Sequence, residues 1–204
     1  MTLLFIFDMD DVLYDYDWRA RMAGMTRMTG HSLDELRRRW WTPEGEIAAE
    51  AGGYATGADY LAALEAALGC AVDEAEWVRV RGAAMTVRPE ALAAVRRAAE
   101  LGTVTLLTNN GALTAEHLAT LAPELIEIFG EHLYTSSAYG ARKPDPVVFT
   151  RVLHAYGVPA DRAFFADDMP ENVRGAESVG ITAHLYSTPA GMRAAIEDFA
   201  AARA

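Results

Sequence analysis

The fold turns on one stretch near the start of the chain, Leu3-Leu4-Phe5-Ile6-Phe7-Asp8-Met9-Asp10-Asp11. A short, continuous apolar run of this kind suits a strand buried on both faces, as in a parallel sheet. It stops abruptly in carboxylates. Asp favours strand-terminating turns, but ligands of parallel sheets also bind beyond the carboxyl ends of the strands. The stretch alone supports both readings about equally.

Working outward, the same pattern returns four times. Thr103-Val104-Thr105-Leu106-Leu107 ends in Thr108-Asn109-Asn110-Gly111, and a weaker segment, His132-Leu133-Tyr134, runs into Thr135-Ser136-Ser137. Ala163-Phe164-Phe165-Ala166 ends in Asp167-Asp168, and Ile181-Thr182-Ala183-His184-Leu185 ends near Tyr186-Ser187. Helical patterns separate them. Residues 89–101 open on Pro89 and close before Gly102, and a helix capped at Asp145-Pro146 runs to Tyr156, before Gly157. Residues 171–179 precede Gly180, and Thr188-Pro189 opens a terminal helix reaching about Ala202. Alternating strands and helices predict an α/β fold with a Rossmann-like, mostly parallel sheet.

Residues 15–86 break that rhythm with helical pieces and no convincing strand. Ser32-Leu33-Asp34-Glu35 reads as a capping box, Thr42-Pro43 as another helix start, and residues 58–68 and 73–85 as further helices. The prediction is an all-helical cap at 15–87 inserted into a core of 1–14 and 88–204, with linkers near 14–17 and 87–88.

Composition excludes several classes. With 204 residues, 51% hydrophobic and 23% charged, the chain buries a real core, and general disorder is ruled out. Its net charge of −11 argues against nucleic acid or an anionic membrane as the main partner. No apolar run approaches the roughly 20 residues that span a bilayer. Met1 to Phe7 lacks the basic lead of a signal peptide. The single cysteine, Cys70, excludes an internal disulfide framework and fits a reducing, cytoplasmic setting. His31, His117, His132, His154 and His184 show no ligand spacing.

The polar residues collect where the sheet places them. Asp8 and Asp10 follow the first strand, Thr108 and Asn109 the second, and Asp167 and Asp168 the fourth, while Lys143 lies in a polar loop before a helix. Clustered carboxylates repel, and a divalent cation with oxygen ligands relieves them. Mg²⁺ suits such a set, because it binds through a few carboxylates while keeping water and substrate phosphate. With Lys143 it would hold a phosphoryl group, to which Thr108 and Asn109 can donate. One carboxylate can attack phosphorus, and a second can protonate the leaving oxygen and then deprotonate water. Taken singly, Thr108-Asn109 reads as turn chemistry and Lys143 as a solvated loop residue, while Asp167-Asp168 can cap the helix that follows, a role compatible with metal binding. Together they favour a site.

In order, Asp8-Met9-Asp10-Asp11-Val12, Thr108-Asn109, Lys143-Pro144 and Phe165-Ala166-Asp167-Asp168 resemble the four motifs of the haloacid dehalogenase (HAD) superfamily. The insertion resembles the cap of its helical-cap subfamily, and the whole is similar to glucose-1-phosphate-type sugar phosphatases. The resemblance implies Asp8 as nucleophile and Mg²⁺ ligand, and Asp10 as general acid/base with its backbone carbonyl on the metal. It implies Thr108 and Asn109 on the phosphoryl group, Lys143 stabilising Asp8 and the phosphate charge, and Asp168 on Mg²⁺. Asp167 binds the metal through water or orients the site, and Asn172 supports that loop. Asp11 stands where many relatives carry Gly or Asn. In the cap, Trp18 and the Trp40-Trp41 pair read first as packing, and the arginines 37–39 as a solvated helix face. Trp18, Arg19 and Arg21 follow the first motif closely enough to face the cleft.

The implied function is Mg²⁺-dependent hydrolysis of a small organic phosphate, a sugar phosphate in its narrower form, through an aspartyl-phosphate intermediate. A phosphomutase or a dehalogenase on the same core stands as an alternative, although dehalogenases lack the acid that Asp10 supplies. A non-catalytic phosphate-binding module is another, and the intact Asp8, Asp10, Thr108, Lys143 and Asp168 argue against it.

Overall fold

The computed structural model describes residues 2–203. Strand β1 (Leu4–Phe7) leads through a tight loop to β2 (Tyr14–Tyr16), and helices α1 (Trp18–Thr29), α2 (Leu33–Arg39), α3 (Glu46–Glu50), α4 (Gly57–Leu68) and α5 (Glu74–Gly82) follow before β3 (Met85–Val87). The chain continues through α6 (Pro89–Leu101), β4 (Thr103–Thr108), the short helices α7 (Ala112–Glu116), α8 (Leu118–Leu121) and α9 (Pro123–Phe129), and β5 (Leu133–Thr135). It ends with α10 (Pro146–Tyr156), β6 (Ala163–Asp167), α11 (Pro170–Glu177), β7 (Thr182–Leu185) and α12 (Pro189–Ala201).

Five strands form one parallel sheet in the order β5-β4-β1-β6-β7. The chain builds outward from β1 on one side, then returns to build outward on the other. The crevice of such a sheet opens where the order reverses, at the carboxyl ends of β1, β4 and β6. Because side chains alternate along a strand, Phe5 and Phe7 pack among Val95 of α6 and Ile196 and Phe199 of α12. Leu4 and Ile6 pack on the opposite layer with Val148, Phe149 and Val152 of α10. Both faces being covered explains the unbroken apolar run of β1.

Strands β2 and β3 pair antiparallel, Tyr14 with Val87 and Tyr16 with Met85, and make a two-stranded ribbon where the helical insertion leaves and rejoins the sheet. This corrects the expectation of no strand across 15–86 and of a helix reaching residue 85. Helix α5 stops at Gly82. Three-residue strands carry too little alternation to show, and their partners lie some seventy residues apart, so only tertiary pairing defines them. Residues 42–45 form turns, and α3 begins at Glu46 rather than at Thr42-Pro43.

The insertion has an apolar cluster of its own, including Met22, Met25, Leu36, Trp40, Leu64 and Trp77, joined by Leu113 of α7. The capping box at Ser32 and Glu35 is present, and Thr56 with Asp59 forms another. Trp40 is fully buried here, while the arginines 37–39 are exposed, both as expected. No helix among the described residues is long and apolar enough to cross a membrane.

Candidate active site

The loop after β1 turns back at once: the N–H groups of Leu13 and Tyr14 both donate to the carbonyl of Met9. That reversal requires a left-handed residue, and Asp11 supplies it at φ 59°. Outside Gly, Asn and Asp tolerate this region best. The turn leaves Asp8 at the end of β1, with its N–H bonded to Ala166 of β6.

Lys143 lies at the centre of the cluster, 1% exposed and the only lysine in the chain. Its Nζ stands 2.8 Å from Asp8 Oδ1 and 2.6 Å from Asp167 Oδ2. The loop carrying it is pinned by Asn109, whose Nδ2 donates to the Lys143 carbonyl at 2.8 Å and whose Oδ1 accepts from the Lys143 N–H at 2.9 Å. Asp167 also accepts from Asn172 Nδ2 at 2.9 and 3.1 Å and from the Met169 N–H at 2.9 Å. Thr108 is buried beside them and accepts from Asn110 Nδ2 at 2.9 Å. Asp8 Oδ1 takes both Lys143 and the Met9 N–H, so Oδ2 is the oxygen left to face an incoming group.

The electrostatics show a surplus of negative charge. Burial pushes the Asp8 carboxyl well above the usual range; Lys143 opposes this, and Asp167 and Asp10 add to it. Lys143 itself is raised, since the charges of Asp8 and Asp167 outweigh a burial that would lower it. Burial pushes Asp168 up to about 6, with Asp167 and Asp11 contributing. Asp8, Asp167 and Asp168 each offer an oxygen within 4.8 Å of the others. A compact, oxygen-only donor set with one balancing cation fits a hard divalent ion such as Mg²⁺.

Asp10 lies outside that trio. Its Oδ2 accepts from Arg81 at 2.6 Å, and its Oδ1 is buried without a partner among the described residues. Arg81 comes from α5 and also stacks over the Tyr16 ring. Above the loops lies a cavity of about 540 Å³, lined from the sheet side by Asp10, Asn109 and Arg142 and from the insertion by Trp18, Arg21, Trp41, Glu46, Glu50 and Arg81. Arg142 pairs with Glu50 across the seam.

The structure thus gathers Asp8, Thr108, Asn109, Lys143, Asp167, Asp168 and Asn172 at one end of the sheet, with Asp10 facing the cavity. A model of the haloacid dehalogenase-like hydrolases matches residues 2–180.

The chain belongs to that family.

Relatives agree with the assignment. The HAD-like hydrolase is 30% identical over 200 residues to Phosphatase MT3486 of Mycobacterium tuberculosis, covering 88% of this chain and 85% of that one. In fold it is similar to the HAD family enzyme bt-2542 of Bacteroides thetaiotaomicron, solved with magnesium and inorganic phosphate, at a TM-score of 0.76 and 19% identity over 92% of this chain and 95% of that one. It is also similar to a 2-haloacid dehalogenase of Pseudomonas syringae, at a TM-score of 0.62 and 23% identity over 90% and 85% of the two chains.

Some cleft residues of this hydrolase escape sequence reasoning. Arg81 reads as one more helix arginine, yet it lies one turn from Trp77 on the buried face of α5. The register with Trp77 and Val80 was the available signal. Glu50 and Arg142 meet from segments far apart in sequence and carry no such signal. Of the three residues placed near the cleft, Trp18 and Arg21 line it, whereas Arg19 is exposed. Asn109, expected on the phosphoryl group, spends its side chain on the Lys143 backbone.

Proposed function

We propose that this hydrolase is a Mg²⁺-dependent phosphomonoester hydrolase acting on a small phosphorylated metabolite, sugar phosphates being the narrower form, through an aspartyl-phosphate intermediate. The observation that carries the reading is Lys143, buried between Asp8 and Asp167 with Asp168 alongside. That geometry suits a dianionic group placed against Asp8. The division into a core of 1–14 and 88–204 and a cap of 15–87 belongs to the same reading, supported by the ribbon at their junction and the separate apolar cluster of the insertion. A cytoplasmic setting belongs to it too, supported by the unpaired Cys70.

Asp8 and Asp168 would hold Mg²⁺, with Asp167 orienting Lys143 beside them. When bound, the ion neutralises charge on the transferring group and the carboxylates. Asp8 Oδ2 attacks phosphorus, and the bond from phosphorus to the leaving oxygen breaks. Asp10 gives its proton to that oxygen, then takes one from water as the water attacks the aspartyl phosphate. Phosphate departs and Asp8 is restored. Lys143 stabilises charge throughout, and Thr108 is placed to donate its hydroxyl to the phosphoryl oxygens. The cap excludes bulk water and selects the leaving group.

The test is phosphate release from an aryl phosphate and a panel of small phosphomonoesters, with Mg²⁺ and with chelator. Release should require Mg²⁺ and fall about a thousandfold or more in Asp8→Asn. Isomerised product with little free phosphate would indicate a mutase, halide release without Mg²⁺ a dehalogenase, and Mg²⁺-dependent binding without turnover a non-catalytic module.

A further inference from the structure

Arg21 lines the cavity from α1 and is only 4% exposed. A guanidinium has five N–H donors. This one makes a single hydrogen bond, from Nη1 to the Trp77 carbonyl at 3.2 Å, and stacks on the Trp77 ring at 4.4 Å. Among the described residues no carboxylate lies within ion-pair distance of it, and burial pulls its pKa down. The other cavity cations differ: Arg81 is paired with Asp10 and Arg142 with Glu50.

An unpaired buried charge is costly, and a ring face and one carbonyl offset only part of the cost. The Glu46 charge opposes that fall in pKa, but Glu46 stands beyond ion-pair distance. Its Oε2 is spent on the Trp40 indole at 2.6 Å and the Tyr60 hydroxyl at 2.8 Å. Arg21 thus lines one wall of a cavity whose other wall carries Asp10.

We infer that Arg21 is a specificity-determining residue that binds a second anionic group, a carboxylate or a further phosphate, on the leaving group of the substrate. The inference rests on the phosphomonoesterase reading and narrows it: a neutral sugar leaves the Arg21 donors unmet, whereas a sugar acid or a bisphosphate satisfies them.

Matched pairs test it: phosphogluconate against glucose phosphate and phosphoglycolate against ethyl phosphate for the carboxylate, and fructose bisphosphate against fructose monophosphate for the second phosphate. The wild-type protein should favour the anionic member of at least one pair tenfold or more in kcat/KM, and the responding pair names the group. Arg21→Gln should remove that ratio, and Arg21→Lys, which keeps the charge without the planar fork, should restore part of it. A wild-type ratio near one for every pair overturns the inference, whatever the variants do. So does a ratio that persists in folded Arg21→Gln. Absence of turnover on every substrate counts against the phosphatase reading instead. The same pairs are then read by calorimetric titration in Mg²⁺, where an Arg21-dependent preference supports the assignment and equal affinity overturns it.

Discussion

At the scale of the residue, the cleft shows how burial and charge trade against each other. Glu50 reaches across the seam to Arg142, and burial pushes its carboxyl from 4.5 to about 7, with Arg142 opposing and Glu46 adding to the rise. A raised carboxyl makes the folded state hold more protons than the unfolded chain between those two values. Its contribution to stability is therefore full below the lower value and is lost as pH climbs to the upper one. Glu50→Gln imitates the protonated form. The stability gap between variant and wild type, from urea unfolding, should shift toward the variant by on the order of 2 kcal/mol as pH rises from about 5 to about 8. A gap that does not change with pH would refute this. Asp11 makes a different residue-scale point. Its φ of 59° puts a non-glycine residue in the left-handed region, which Asn and Asp tolerate better than other side chains.

At the scale of the element, α11 does more than follow Asp168. Its Gly175 seats the helix against the Lys143 loop so closely that a Cβ there would stand 2.3 Å from the Pro144 carbonyl oxygen. Gly175→Ala should force loop and helix apart and lengthen the contacts that hold Lys143. We expect a loss of about 1–3 kcal/mol of stability and, in protein still folded by circular dichroism, a fall in phosphatase turnover of more than tenfold. Undiminished turnover would mean that the close seat of Gly175 does not help to hold the loop. What the sequence disclosed also divides by element. Strands β1, β4 and β6 were legible because burial on two faces leaves an apolar run and because their polar ends stand out. The ribbon of β2 and β3 was not, since three residues show no period and pairing is decided at a distance. Helices α7 to α9 were not either: each spans at most two turns, too short for a moment to declare itself.

At the scale of the whole molecule, a chain of net charge −11 proposed to handle anions has to place cations where the anion arrives. Four of its eighteen Lys and Arg residues, Arg21, Arg81, Arg142 and Lys143, stand around the cleft. Most site residues were legible because they stand at strand ends; Arg21 was legible from its place just after the first motif, whereas Arg81 was not, and packing alone turns it inward. The seam between insertion and sheet mixes apolar and polar contacts: Leu113 of α7 sits in the insertion's apolar cluster, and four polar pairs stand beside it. Arg81 with Asp10, Arg142 with Glu50, His117 with Glu74 and the Gly57 N–H with Glu116 all span it.

Lys143 also gives this protein an unusual chemical surface. Because Lys143 is the only lysine and is buried, the folded exterior offers no ε-amine to an acylating reagent. Amine-directed coupling to a bead or dye is then confined to the chain terminus. Modification of Lys143 becomes a single-site clock for opening of the cleft. Mass spectrometry after timed pulses of an N-hydroxysuccinimide ester should find that lysine labelled slowly in the native protein and rapidly in urea. Protection should deepen when Mg²⁺ and phosphate are present.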